Sequence, residues 1–229
     1  MLAAVRLLTV LVLAGFALFI ARDHARRFPQ DLPWTPLDLN APIGWATGGK
    51  LLALRAHPEH CPALLAAAGI AATPLPAYDA GPGCRITGAV RVKSLGLPLD
   101  HSLVMTCPLA AAMTVWTREI VVPTVRQRLG VAPTGLADLG SLNCRRIAGT
   151  SRLSEHAHAN AVDIAAIRIG HDRPLNVARD FGEDGPRGAA LDDLHAAACR
   201  LFGTVLGPNY NPAHHDHFHL DMASWNACR

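Results

Sequence analysis

The first positions of the chain are apolar without helical or strand period. Leu7 to Ala21 reads LLTVLVLAGFALFIA, uncharged throughout, with Arg6 before it and Arg22, Arg26 and Arg27 after it. The run falls short of the roughly 20 residues that usually cross a bilayer and suits the apolar part of a secretory signal. Counting Met1 to Val5, with Arg6 snorkelling toward the interface, lengthens it toward a full span. No A-x-A cleavage site follows, which favours a retained anchor over a removed signal. Residues 1–21 therefore read as a membrane anchor or signal segment. Residues 22–46 hold four prolines and two tryptophans without sustained periodicity. They read as a proline-rich linker that later packs against the domain, leaving 47–229 as one globular domain.

Within the domain the pattern alternates between short helices and strands in irregular order. CPALLAAAGI predicts a helix over about 62–68, opened by Pro62 and stopped by Gly69. CRITGAVRV predicts a strand over 84–92. The alanine-rich PLAAAMTVWTREIVV, running up to Pro123, predicts a helix, as does LDDLHAAACRLF over 191–202, with acids in its first turn. Ala161 to Ile169 is apolar on both strand faces except at Asp163 and Arg168, the mark of a buried strand. This mixture predicts an α+β fold: a small, mainly antiparallel sheet flanked by helices.

Composition sharpens the compartment and excludes one class of partner. The net charge is +3 and the basic residues are scattered, so the chain carries no nucleic-acid footprint. The arginines after the apolar run would by the positive-inside rule keep that side in the cytoplasm. The cysteines favour export: Cys61, Cys84, Cys107, Cys144, Cys199 and Cys228 are even in number, widely spaced and form no C-x-x-C pair. Behind an export segment they predict up to three disulfides, with the pairing left open by the sequence.

The candidate chemistry lies in SRLSEHAHANAVDIAAIRIG, 151–170, and HHDHFHLDM, 214–222. A carboxylate buried at Asp163 needs a cation or donors, and Arg168 is a poor partner because odd and even strand positions face opposite ways. His156 lies seven residues earlier, and the small-residue turn Ala157 to Ala161 can fold it back beside Asp163. A strand over 215–221 would put His215, His217, His219 and Asp221 on one face, with Phe218 and Leu220 anchoring the other. His156, Asp163 and one of those imidazoles would suit a zinc site with an open position. His57, His60, His101, His171 and His195 read as structural, and His158 and His215 as surface or supporting groups.

These two blocks resemble the zinc peptidases grouped as lysostaphin, D-Ala-D-Ala metallopeptidases and hedgehog, whose signature is S-x-H-x-x-G-x-A-x-D followed by H-x-H. Ser154, His156, Ala161 and Asp163 match the first motif, with Ala159 where the family usually has glycine, and His217 and His219 match the second. HHDHFHLD looks like the murein endopeptidase branch, whose additional histidine falls on His214. The segments CRR…SEHAHANAVDI, FGTVLGPNYNPAHHDHFHLDMA and DLPWTPLDL…PIGWAT resemble the bacterial extensin-like C-terminal domain family from about residue 30 onward. The resemblance implies a hedgehog/DD-peptidase-like fold with zinc held by His156, Asp163 and His219. It implies His217 as base or transition-state stabiliser, His214 in support, and Arg145 or Arg146 as a substrate or oxyanion group. Asp216 and Asp221 would orient ligand histidines or simply lie at the surface.

The reading is an exported zinc hydrolase of cell-wall peptidoglycan, a DD- or LD-type peptidase on the periplasmic face of the inner membrane. The alternative is a non-catalytic wall-binding or structural protein that keeps the zinc site. The retained His217 leans toward catalysis.

Overall fold

The structure, a computed structural model, describes residues 2–224 and 227–229; Met1, which the anchor reading includes, lies outside the described residues. The helices are α1 (Leu2–Arg27), α2 (Thr47–Ala53), α3 (Cys61–Ala67), α4 (Cys107–Trp116), α5 (Val122–Leu129), α6 (Val177–Asp180) and α7 (Pro186–Ala198). The strands are β1 (Ala72–Pro74), β2 (Tyr78–Asp79), β3 (Arg85–Ile86), β4 (Ala89–Ser94), β5 (Pro98–Thr106), β6 (Pro133–Gly140), β7 (Ala161–Ile169), β8 (Leu175–Asn176), β9 (Thr204–Leu206), β10 (Phe218–Asp221) and β11 (Ala227–Cys228).

The architecture is mixed, with a mostly antiparallel sheet and helices, as an α+β fold requires. Nine strands form one sheet in the order β1-β4-β5-β6-β7-β10-β9-β11, with β8 on β7, and β2 and β3 make a separate hairpin. Only β5–β6 and β9–β11 pair in parallel. The sheet is wider than the small one the sequence predicts, because strands of two or three residues carry no readable period. Its centre is β7, flanked by β6 and β10, with Val162, Ile164 and Ile167 in the core.

Every residue of α4 is buried, which is why its sequence is apolar on all sides rather than on one stripe. Trp116, fully buried, donates its indole N–H to the Leu194 carbonyl at 3.2 Å, tying α4 to α7. The helix does not stop at Pro123: a π-type turn, Thr117–Val121, leads into α5, where the proline sits in the first turn just after that wider turn. The predicted strand 84–92 is two strands in two sheets, broken at Gly88, whose φ of 59° is left-handed. The predicted helix 191–202 is α7, which opens at Pro186, so Asp192 and Asp193 sit mid-helix rather than in its first turn.

The apolar N-terminal run lies inside a helix longer than itself. α1 has 26 residues, a mean hydropathy of 2.4 across its most apolar window, and no buried residue. At about 1.5 Å per residue it spans about 39 Å, enough for a hydrocarbon core of about 30 Å. By length and composition it can cross a membrane, and an N-terminal signal sequence meets the same description. Beyond it, the segment read as a linker packs on the domain, with Gln30, Leu39 and Ala46 buried. All six cysteines pair, as Cys61–Cys107, Cys84–Cys144 and Cys199–Cys228, which points to an oxidising compartment.

Candidate metal centre

Asp163 is the third residue of β7, and the register of β10 on β7 sets His219 directly opposite it. Opposed side chains of paired strands share a face, so this register alone brings the carboxylate and the imidazole together. His219 Nδ1 lies 3.0 Å from Asp163 Oδ1. Phe218 and Leu220, on the other face, are 1% and 0% exposed and fix the strand in the core.

His156 arrives from a tight turn. Ser154 caps the one-turn helix Glu155–His158 by accepting the His156 N–H at 3.4 Å. The chain then reverses at Ala159, with φ 55° and ψ 27°, the one positive φ outside glycine among the described residues. Glycine suits that conformation better than any residue with a Cβ, and here an alanine adopts it. The turn presents His156 Nε2 at 3.2 Å from Asp163 Oδ2 and 3.1 Å from His219 Nδ1.

Outer partners decide which ring nitrogen faces inward. His156 Nδ1 donates to the Ser141 carbonyl at 2.7 Å, leaving the Nε2 lone pair for the centre. His219 Nε2 donates to Asp221 Oδ2 at 3.0 Å, leaving Nδ1 for the centre. Ser141 and Asp221 are 3% and 4% exposed, so this outer layer is rigid. Four ligands held tetrahedrally about 2.0–2.1 Å from zinc would stand about 3.3–3.4 Å apart. His156 Nε2 and His219 Nδ1 stand 3.1 Å apart, the first 3.2 Å from Asp163 Oδ2 and the second 3.0 Å from Asp163 Oδ1, so two nitrogens and a carboxylate come close to that spacing. Donor set and spacing fit a zinc ion, and the three residues form a group whose ligand atoms lie within 4.8 Å of one another.

The groups of the cluster shift one another's titration. Burial would raise the Asp163 pKa, but hydrogen bonds from His156 and His219 outweigh it and hold the carboxyl well below the usual range. Burial would lower the His219 pKa, but the bonds to Asp163 and Asp221 raise it to about 9. The metal-free imidazole is thus a cation clamped between two carboxylates. His214 goes the other way, to about 4, through burial and the neighbouring His219 and His217 charges.

His217 lies beside the trio, with Nε2 3.5 Å from Asp163 Oδ1 and Nδ1 donating to Asp216 Oδ1 at 2.8 Å. His214 stands behind it, ring centroids 5.3 Å apart, its Nδ1 on Asn211 Oδ1 at 2.8 Å. The Arg145 charge is felt at His214, whereas the Arg146 guanidinium bonds the Ser151 carbonyl. Asp221 and Asp216 both orient histidines by direct hydrogen bonds. Arg168, off this face, pairs with Asp100.

Some expected features differ. The strand over 215–221 begins only at Phe218, and His215 is exposed in the preceding turn, because Asn211 caps a one-turn helix over Pro212–His214 that delays extension. His57, Glu59 and His60 form a second group of donors within 4.8 Å of one another, exposed to solvent. A cavity of about 330 Å³ is lined by Glu155, His158, Asn160, Arg55 and Arg85. Residues three apart eclipse on a tight helical turn, so Glu155 and His158 line that cavity while His156 meets Asp163.

The family described as Extensin-like protein C-terminus matches residues 59–229. No curated protein matches, and no solved structure matches.

Proposed function

This chain belongs to the extensin-like C-terminal family, and on that premise we propose that it is an exported zinc-dependent hydrolase of peptide bonds in cell-wall peptidoglycan, a DD- or LD-type peptidase. One observation carries the reading: His156, Asp163 and His219 converge with both imidazole lone pairs aimed inward by Ser141 and Asp221. The resemblance of the S-x-H…D and H-x-H blocks to hedgehog and D-Ala-D-Ala peptidases supports it, as does the mainly antiparallel sheet that carries them. The apolar α1 and the disulfides support a place on the periplasmic face of an inner membrane.

A zinc ion held by the three groups supplies Lewis acidity toward water and a scissile carbonyl. The chain's own residues do the rest. His217 has its Nδ1 proton committed to Asp216, so Nε2 takes a proton from the attacking water and returns it to the leaving amine. His214 stays neutral at working pH, adding no charge beside that base. Arg145 supplies a cation for a substrate carboxylate or the oxyanion.

The test is to load the purified full chain with zinc, incubate it with peptidoglycan of several cross-link types and analyse released fragments. Cleavage lost in a His217→Ala variant that retains its zinc supports the peptidase. Absence of cleavage at full zinc occupancy overturns it. A second reading, a wall-binding protein with a structural ion, is favoured by the burial of His156 and His219, at 3% and 8% exposed. A His217→Ala variant that keeps both metal and cellular role would select it.

A further inference from the structure

Among the described residues, exposed large apolar side chains fall mostly on α1, and three more aromatic ones follow directly. Phe28, Trp34 and Trp45 are 54%, 77% and 85% exposed. The backbone that carries these rings is held in place. Asp31 bridges the end of α1 to Trp45: Oδ2 accepts from His24 Nε2 at 3.0 Å and Oδ1 from the Trp45 N–H at 2.8 Å. The Gln30 carbonyl accepts the Ala46 N–H at 3.1 Å. A Cβ added to Gly44 would stand 2.2 Å from the Gln30 carbonyl carbon, so the segment before Trp45 lies in backbone contact with the one after Phe28.

The turn that carries Trp34 is pinned from the domain side. Lys50, buried on α2, sends its ammonium to Thr35 Oγ1 at 2.8 Å, Pro29 O at 3.0 Å and Gln30 Oε1 at 3.2 Å. Indoles this exposed gain little from packing on the domain. Indole rings do gain at a membrane interface, where an apolar body and a polar N–H are both accommodated. Arg22, Arg26 and Arg27 are exposed on the last turns of α1, complementary to anionic headgroups. A helix of about 39 Å crossing a core of about 30 Å delivers its end into the headgroup layer.

We propose that Phe28, Trp34 and Trp45, with Arg22, Arg26 and Arg27, form a collar that seats the domain on the headgroups of an anionic bilayer crossed by α1. The domain is then held against the membrane in one orientation instead of swinging on a tether. The collar requires α1 in a bilayer and is independent of the zinc reading.

The experiment uses the full chain reconstituted in phosphatidylethanolamine and phosphatidylglycerol vesicles, with bromine placed at shallow or deep acyl positions. All measurements use a Trp225→Phe background, so that Trp34, Trp45 and fully buried Trp116 are the emitters, with Trp116 as the unquenched internal reference. The chain should float with the vesicles, and shallow bromine should quench its emission more than deep bromine. If the two indoles contribute equally at the interface, Trp34→Phe and Trp45→Phe each remove about half of the lipid-quenched signal and the double variant removes nearly all of it. Replacing the three arginines by glutamine should reduce the quenching while flotation persists. A floating chain whose Trp34 and Trp45 ignore brominated lipid and remain open to aqueous acrylamide would overturn the collar, as would a chain that fails to float. Zinc content and peptidoglycan cleavage, unchanged in the tryptophan variants, keep this outcome separate from that of the proposed hydrolase.

Discussion

Asp163 would be a costly group in the middle of a sheet without the imidazoles around it. Its need for a counter-charge is legible in the sequence, since an acid interrupts an apolar strand; the identity of the partner opposite, His219, is a matter of register that no local pattern reveals. Asp221 is the clearest test of the outer layer. Asp221→Ala removes the acceptor that fixes the His219 tautomer and should weaken zinc affinity by about 10–100-fold with the fold retained, measured by chelator competition and circular dichroism. An unchanged affinity would show that the outer layer does not set the ligand geometry. The pH dependence follows from His219. Its folded pKa of about 9 lies above the unfolded value of about 6.5. Its contribution to the stability of the metal-free protein is therefore complete below about pH 6.5 and is lost as pH rises through about 9. Asp163, depressed, acts in the opposite sense: its contribution is present above about pH 3.9 and lost on acidification. Zinc must displace the Nδ1 proton of His219, so affinity should climb about tenfold per pH unit between about 7 and 9. Competition titrations across that range measure it, and a flat profile would contradict the clamp.

Single elements hold these residues in place. The turn after His156 depends on a left-handed alanine, buried completely. Ala159→Gly exchanges about 1 kcal/mol of backbone strain for the loss of a buried methyl worth about 0.8 kcal/mol, and should be nearly neutral. Ala159→Val adds β-branching at positive φ and should cost more than about 2 kcal/mol in urea unfolding, together with zinc affinity. The run of small residues after His156 made a tight turn legible, while the left-handed backbone at Ala159 came only from the fold. The loop that carries Arg145 is set differently, by the Cys84–Cys144 disulfide, with Gly81 leaving room for the Cys144 sulfur, 2.6 Å from where a Cβ would sit. Replacing both cysteines by serine should cost about 2–5 kcal/mol by denaturant unfolding. The loop carrying Arg145 would also lose its anchor, raising KM more than it lowers kcat if Arg145 binds substrate. The cysteine count implied such bonds, while their pairing waited on the fold.

The whole molecule joins a membrane-length helix, a packed lead segment and a wide sheet whose central strands meet at the ligand cluster. Because the proposed zinc bridges β7, β10 and the turn before β7, its binding couples to folding. With free zinc at about 100 times Kd the folded state gains about 2.7 kcal/mol. Chelation should therefore lower Tm reversibly in the wild type and leave a His156→Ala variant unmoved, which differential scanning fluorimetry can check. By itself the sequence determined the apolar N-terminal helix, the disulfide-forming cysteines, the α+β mixture and the residue types of the His156, Asp163 and His219 group. Composition, spacing and period are properties of the chain read along one dimension. The tertiary structure alone decided that β10 lies beside β7 with His219 opposite Asp163, that the short strands extend the sheet to nine, and which cysteines meet. Those outcomes depend on which distant segments share a core, and that is settled by burying apolar faces against one another, a balance to which every element contributes at once.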